Sequence, residues 1–196
     1  MSQKIAVVGA GFIGRSWAMV FSKAGHHVSL YDIDPAALSE AMNLLEINIA
    51  DLESNGLISS KDDLLGRIQP YKTLEGAVEE ADWVQENALE DVQIKRELFS
   101  RMDELLPETT ILASSTSAIP CSDISNGMKG AGRIIVAHPA NPPYLLPIVE
   151  LSGAPETKDE TIFRAKELLE AADMEVITIN KEIKGFVLNR LQVALL

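Results

Sequence analysis

The sequence predicts an α/β domain, doubly wound around a mainly parallel sheet. Three observations lead there. Short apolar runs rich in Val and Ile alternate with longer segments of helical periodicity, the pattern of parallel strands joined by crossover helices. The first run, Lys4-Ile5-Ala6-Val7-Val8, leads into Gly9-Ala10-Gly11-Phe12-Ile13-Gly14, three glycines in G-x-G-x-x-G spacing before a helical segment. A second run, His27-Val28-Ser29-Leu30-Tyr31, ends at Asp32, 18 residues beyond Gly14.

Each glycine has its own task in such a turn. Gly9 permits the tight bend, Gly11 admits a pyrophosphate to the backbone, and Gly14 lets helix and strand pack closely. The pyrophosphate then lies against unpaired N–H groups at a helix N-terminus. Asp32 stands near the offset expected of the acid that accepts both hydroxyls of an adenosine ribose. A carboxylate there repels a 2′-phosphate, and Ile33-Asp34-Pro35 offers no arginine to neutralise one. The expected cofactor is NAD rather than NADP, held on a Rossmann sheet by Gly9, Gly11, Phe12, Ile13, Gly14 and Asp32.

The remaining elements follow in order. Pro35 suits a first helical position with Asp34 as its cap, so a helix is expected over 35–54, stopped by Asn55-Gly56. Leu38, Met42, Leu45, Ile49 and Leu52 form its apolar stripe, and Glu40, Glu46, Asp51 and Glu53 its solvent face. No Lys or Arg occurs from Ile33 to Ser60. A short helix over 61–65 and a strand near 67–69 come next. Thr73 caps a helix over 74–80, a strand spans 82–86, and Asp91 caps a longer helix reaching Leu106 before Pro107. The buried strand 110–114 runs into the hydroxyl-rich turn Ser114-Ser115-Thr116-Ser117. A strand over 133–137 ends at His138, a proline-dense loop continues through Pro147, and a strand over 148–151 follows. Thr157-x-x-Glu160 reads as a capping box for a helix to Ala172. The last strand, 175–179, precedes Gly185-Phe186-Val187-Leu188-Asn189-Arg190-Leu191, which reads as the start of another helix.

Composition narrows the function classes. With 196 residues, 46% of them hydrophobic, the chain can build a packed core. Acidic residues outnumber basic ones 29 to 17, which argues against a polyanionic partner such as nucleic acid. No run of 18 consecutive apolar residues occurs, so no membrane span is expected. The lone Cys121 cannot form an internal disulfide, which fits a reducing cytoplasm, and it reads as a small residue near a loop. Three scattered His and one Cys show no zinc spacing, and no metal is expected. The absence of a G-x-S-x-G elbow argues against a serine hydrolase.

Ligands of doubly wound sheets bind beyond the carboxyl ends of the strands. Ser117, His138 and Glu150 fall there. A His backed by a carboxylate is a general-base pair, the carboxylate fixing the tautomer and stabilising the imidazolium. Dehydrogenation of a secondary alcohol needs such a base, because the hydroxyl proton must leave. On these residues alone, His138 also fits a loop histidine that orders the prolines, and Ser117 a turn residue.

Four motifs, in order along the chain, resemble one family. They are G-A-G-F-I-G-R-S-W-A-M-V-F, S-S-T-S-A-I, H-P-A-N-P-P-Y-L-L-P-I-V-E-L and G-F-V-L-N-R-L-Q, and together they resemble the 3-hydroxyacyl-CoA dehydrogenase superfamily. R-S-W-A-M and N-P-P-Y are similar to its lambda-crystallin and L-gulonate 3-dehydrogenase branch. The resemblance implies His138 as catalytic base, Glu150 as its orienting partner, and Ser117 and Asn189 as groups that bond the substrate or position the His. It also implies that Glu90, Lys95 and Asn141, with Ser117, line the NAD site. The implied activity is NAD-dependent oxidation of a 3-hydroxyl to a 3-keto group, by a cytoplasmic homodimer acting on a small molecule.

Two departures from the family shape the expectation. Family members continue for about another hundred residues as a helical domain that closes the site and forms the dimer, an ordinary domain size. Here residues 1–184 read as the NAD-binding Rossmann domain, and 185–196 as the start of the linker helix into a C-terminal helical domain that lies outside this chain. Phe186, Val187, Leu191, Val193, Leu195 and Leu196 are expected to expose apolar surface there. In the acyl-CoA branch, the helix after the second strand carries basic residues toward the CoA phosphates, whereas here it is acidic. That points to a small 3-hydroxy acid such as L-gulonate. The alternatives are a 3-hydroxyacyl-CoA of fatty acid metabolism and a non-catalytic, crystallin-like NAD-binding protein.

Overall fold

Successive side chains of a strand point to opposite faces of its sheet. In the computed structural model, which describes residues 2–196, this alternation divides the core in two. The chain runs β1 (Lys4–Val8), α1 (Phe12–Lys23), β2 (His27–Tyr31), α2 (Pro35–Ser54), α3 (Lys61–Leu65), β3 (Ile68–Tyr71), α4 (Leu74–Val78) and β4 (Trp83–Glu86). It continues with α5 (Val92–Leu105), β5 (Ile111–Ser114), α6 (Cys121–Ser125), β6 (Ile134–Pro139), β7 (Ile148–Gly153), α7 (Asp159–Ala171), β8 (Glu175–Ile179) and α8 (Leu188–Leu195). Ile5 and Val7 enter one apolar cluster, under α1, α2, α3 and α7, while Ala6 and Val8 enter the other, under α4, α5 and α6.

The strand order is β3-β2-β1-β4-β5-β6-β7-β8. β1 to β6 are parallel, β7 is antiparallel to β6, and β8 runs parallel with β7. The direction of winding reverses between β1 and β4, the place where such sheets open a crevice for a ligand.

Local signals set several helix starts. Asp34, Thr73 and Asp91 each accept a backbone N–H from the first turn of their helix, at 2.9 Å, 3.2 Å and 2.9 Å. The stripe of α2 buries Leu38, Leu45, Ile49 and Leu52, with Ala41 alongside and Met42 half-buried. The capping box at Thr157 does not form. Thr157 Oγ1 instead accepts the Ala154 N–H and donates to the Ile134 carbonyl, so tertiary contacts take the hydroxyl that the cap required. α6 has no counterpart in the sequence expectation, being a single turn without periodicity. β6 runs on through Pro139, so His138 lies within the strand rather than after it. The expected exposure of Phe186 is also overturned. Its ring is 1% exposed and packs in the second cluster, while Val187, Leu191, Val193, Leu195 and Leu196 are exposed as expected.

Trp17 is fully buried and stacks on Phe21 with ring centroids 5.1 Å apart. Its indole N–H is satisfied by Ser115 Oγ at 3.0 Å, which also accepts from Gln85 Nε2 and donates to Asn87 Oδ1. One hydroxyl thus uses its single proton and both lone pairs to tie α1 to the ends of β4 and β5. Burial pushes the Cys121 thiol up to about 12, which leaves it an inert core residue.

His26 makes stability depend on pH. It is 6% exposed, its Nδ1 accepts the Gln3 N–H at 3.1 Å, and Nε2 is buried without a partner. Burial first, then the N-terminal charge, holds the imidazole below its ordinary 6.5. The unfolded chain therefore takes the proton before the folded one does. This contribution is complete above pH 6.5 and lost as pH falls through the folded value. His26→Asn keeps an acceptor for Gln3 without titrating. Its melting temperature is expected to drop less than the wild type's between about pH 7.5 and about pH 5.5, measured by thermal unfolding.

Candidate active site

The glycine turn shows why each glycine is needed. Gly9 leaves β1 at φ 96°, and a Cβ there would stand 2.6 Å from the Asn87 carbonyl oxygen. A Cβ on Gly14 would stand 1.9 Å from the Gly9 carbonyl oxygen, so α1 can lie on the turn only through a glycine. Gly11 has nothing within 4 Å of its Cβ position, which leaves open space before the helix end. Side chains cap α2, α3, α4 and α5, but none caps α1, and its first turn holds no acid. Its free N–H groups and its dipole favour an anion there. Phe12 is half exposed beside the turn, and Ile13 packs against the core.

Asp32, just past β2, accepts the Ala10 N–H through Oδ2 at 2.7 Å and the Asp34 N–H through Oδ1 at 3.0 Å. The carboxylate is held across the turn with lone pairs left for two ribose hydroxyls. A bare helix end, a glycine facing open space and a fixed acid beside them fit the pyrophosphate and adenosine of NAD.

A second cluster stands at the ends of β4 and β5. Glu86, wholly buried, accepts Lys95 Nζ at 2.8 Å and 3.1 Å, Ser114 Oγ at 2.6 Å and the Ala88 N–H at 2.7 Å. Burial pushes the Glu86 carboxyl up, and the Lys95 charge, with the bonds from Lys95, Ser114 and Ala88, pulls against it. Lys95 is 1% exposed and also lies 3.5 Å from Glu90 Oε2. Glu90 Oε1 accepts Thr116 Oγ1 at 2.6 Å, the Ser117 N–H at 2.9 Å, the Ala118 N–H at 3.2 Å and Ser117 Oγ at 3.3 Å. Although burial works to raise it, the bond from Thr116, the Lys95 charge and those two amides hold the Glu90 carboxyl below the usual range.

The third cluster is the histidine with its acid. Antiparallel register sets His138 directly opposite Glu150, and His138 Nδ1 lies 2.8 Å from Glu150 Oε2. Glu150 Oε1 accepts the Val187 N–H at 2.7 Å and the Leu188 N–H at 2.9 Å. A carboxylate occupied with backbone donors takes the Nδ1 proton as a third, so neutral His138 carries its lone pair on Nε2. Both residues are buried, and the Phe186 ring covers the imidazole at a centroid distance of 5.3 Å. Phe186 itself adopts φ 46°, after Gly185 at φ 73°, and this left-handed turn aims the next two amides at Glu150. Asn189 Nδ2 donates to the Ser117 carbonyl at 2.7 Å, which ties α8 to the hydroxyl turn.

Bonds therefore link Ser117 with Glu90, Lys95 and Asn189, and His138 with Glu150 and α8. Asn141 is exposed in the proline loop, and its side chain bonds to none of these residues. The sequence assigned no role at the site to Glu86 or Phe186. Glu86 looks like an ordinary strand end, although a carboxylate closing an apolar strand is itself a signal of a buried partner. Phe186 follows a glycine, the one local hint of a left-handed turn.

Known proteins share the sequence pattern and the fold. Residues 4–183 match the family model of the 3-hydroxyacyl-CoA dehydrogenase NAD binding domain. Lambda-crystallin of Oryctolagus cuniculus is 36% identical over 195 residues, 98% of this chain and 61% of that protein. L-carnitine dehydrogenase of Streptomyces griseus is 38% identical over 193 residues, 98% of this chain and 57% of that protein. The chain thus spans less than two thirds of the length of these relatives. The crystal structure of 3-hydroxybutyryl-CoA dehydrogenase from Escherichia coli superposes with a TM-score of 0.92 at 28% identity, covering 97% of this chain and 40% of that one. By fold, glycine turn and matched length, the chain belongs to the 3-hydroxyacyl-CoA dehydrogenase family, of which it forms the NAD-binding domain.

Proposed function

We propose that the protein oxidises the 3-hydroxyl of a small 3-hydroxy acid, such as L-gulonate, to the ketone, with His138 as general base. The observation that carries this is the His138–Glu150 pair, whose 2.8 Å contact leaves Nε2 as the free proton acceptor. NAD supplies the hydride acceptor when bound. His138 Nε2 takes the hydroxyl proton, and Glu150 keeps the ring in the right tautomer and stabilises the imidazolium. Ser117 and Asn189, joined at the mouth of β5, orient the substrate oxygen. Glu90 and Asp32 serve the two riboses, the glycine turn the pyrophosphate, and Asn141 the rim of the cofactor site.

The acid in preference to its CoA thioester follows from α2. Coenzyme A carries a 3′-phosphate and a pyrophosphate, and this helix turns Glu40, Glu46, Asp51 and Glu53 to solvent with no Lys or Arg from Ile33 to Ser60, although Lys61 just beyond pairs with Glu46 at 3.0 Å. Each like-charge approach costs about 1 kcal/mol at ~4 Å in water, less once screened. Similarity to L-carnitine dehydrogenase supports a free 3-hydroxy acid, and similarity to 3-hydroxybutyryl-CoA dehydrogenase keeps the thioester as the second reading. Steady-state kinetics on the full-length protein compare L-gulonate, L-carnitine and 3-hydroxybutyrate with 3-hydroxybutyryl-CoA. A free acid is expected to have the higher kcat/KM, by about tenfold or more, the factor that 1.4 kcal/mol represents. A higher value for the thioester overturns the preference, and no turnover of any of them favours a non-catalytic, crystallin-like role.

A further inference from the structure

We infer that Glu86 is a positioning residue for the cofactor: through Lys95 it fixes Glu90 and the Ser117 turn at the nicotinamide end of the site. The inference rests on this edge of the sheet being the NAD site. Glu86 reaches no ligand, being 0% exposed, yet it is the hub of the region. It holds the first loop after β4 through the Ala88 N–H, the end of β5 through Ser114, and α5 through Lys95. Lys95 passes the constraint outward. Its ammonium is shared among Glu86, the Ala88 carbonyl at 3.4 Å and Glu90 at 3.5 Å, leaving no direction for a ligand. The Glu86–Lys95 pair is neutral whichever partner holds the proton, so Lys95 offers a phosphate no net charge.

Glu90 is the member of the chain that faces outward, with a side chain 42% exposed. Its Oε1 is filled by Thr116, Ser117 and Ala118, and Asn189 grips the same turn from the other side. That places it toward His138 and away from Asp32 and the glycine turn. Loss of the Glu86 charge is therefore felt by the reacting half of the dinucleotide and not by the adenosine half.

The experiment compares Glu86→Gln and the double variant Glu86→Gln/Lys95→Met with wild type in the full-length protein. It measures melting temperature and, by fluorescence or calorimetry, the affinities of NADH and of AMP. Glu86→Gln is expected to melt lower, because the buried ammonium keeps only the longer contacts to Glu90 and the Ala88 carbonyl, and the double variant to recover most of that loss. In the recovered double variant NADH affinity stays about tenfold or more below wild type, by analogy with the loss of a group that orients a metal ligand. AMP affinity stays at the wild-type value. Recovery of NADH affinity together with the melting temperature would show the pair to be purely structural and overturn the proposal. An equal loss of AMP and NADH affinity overturns it too, because the effect would then not be confined to the nicotinamide end. Wild-type protein that binds neither nucleotide overturns the site itself, and the proposal with it.

Discussion

His138→Gln is expected to lower kcat by about 10³-fold, within the range typical of a lost general base, with NADH affinity unchanged. Gln is polar and of similar size but is no base, and the two amide bonds at Glu150 Oε1 do not involve this side chain. The proton acceptor at Nε2 is gone. Glu150→Gln is milder in kind. The Val187 and Leu188 N–H groups keep an oxygen, but the imidazolium loses its counter-charge and the ring its tautomer, and kcat falls by about 10²-fold or more. Steady-state kinetics alongside NADH titration check both. A His138→Gln enzyme within tenfold of wild type would end the assignment of this residue as base.

Gly14→Ala is expected to cost about 3 kcal/mol and to abolish measurable NADH binding, the larger of two glycine effects. The added Cβ meets the Gly9 carbonyl oxygen at 1.9 Å, a backbone atom that cannot swing aside. α1 must lift from the turn, and Trp17, buried one turn further along, loses its contact with Ser115. For a protein of this size that corresponds to a melting temperature lower by about 6–12 °C. Gly11→Ala separates ligand from fold, since its Cβ meets no protein atom within 4 Å. Its melting temperature falls by no more than about 4 °C, the cost of Ala in place of Gly at a helix N-cap. NADH binding falls about 100-fold, because the methyl stands where the pyrophosphate must lie. Differential scanning fluorimetry and NADH titration read both outcomes. If Gly11→Ala binds NADH normally, the pyrophosphate does not approach that backbone.

Features confined to neighbouring residues were legible before the structure. The caps Asp34, Thr73 and Asp91 act within a few residues of themselves, and short-range physics decides them. The glycine turn and Asp32 were legible by their spacing, although Asp32 bonds Ala10 across the turn and Gly9 faces Asn87. Ser117, His138 and Glu150 were candidates from their places at strand ends, and resemblance to a family added Asn189; the structure brings His138 to Glu150 and Asn189 to Ser117. What escaped depends on packing. The Glu86–Lys95 bond joins a strand end to a helix, and only the tertiary fold gives it a partner and removes the water. Thr157 carried a local capping signal, but the Ala154 N–H and the Ile134 carbonyl claimed its hydroxyl. Phe186 seemed destined for solvent with its apolar neighbours, and the left-handed turn at φ 46° folds it under the sheet edge instead.

The bonds from Val187 and Leu188 to Glu150 bear on how the protein can be cut. The family match ends at residue 183, just before Phe186, which suggests a natural place to excise a free-standing nucleotide-binding module. Such a module would keep every strand and the whole glycine turn. It would lose both amides on Glu150 Oε1 and the ring over His138, and so leave that oxygen without partners and the imidazole unroofed. The matched family segment and the smallest piece with a complete His138–Glu150 arrangement therefore differ by a handful of residues. Any chimera that swaps substrate-recognition segments onto this scaffold must join after Leu188, not before Gly185.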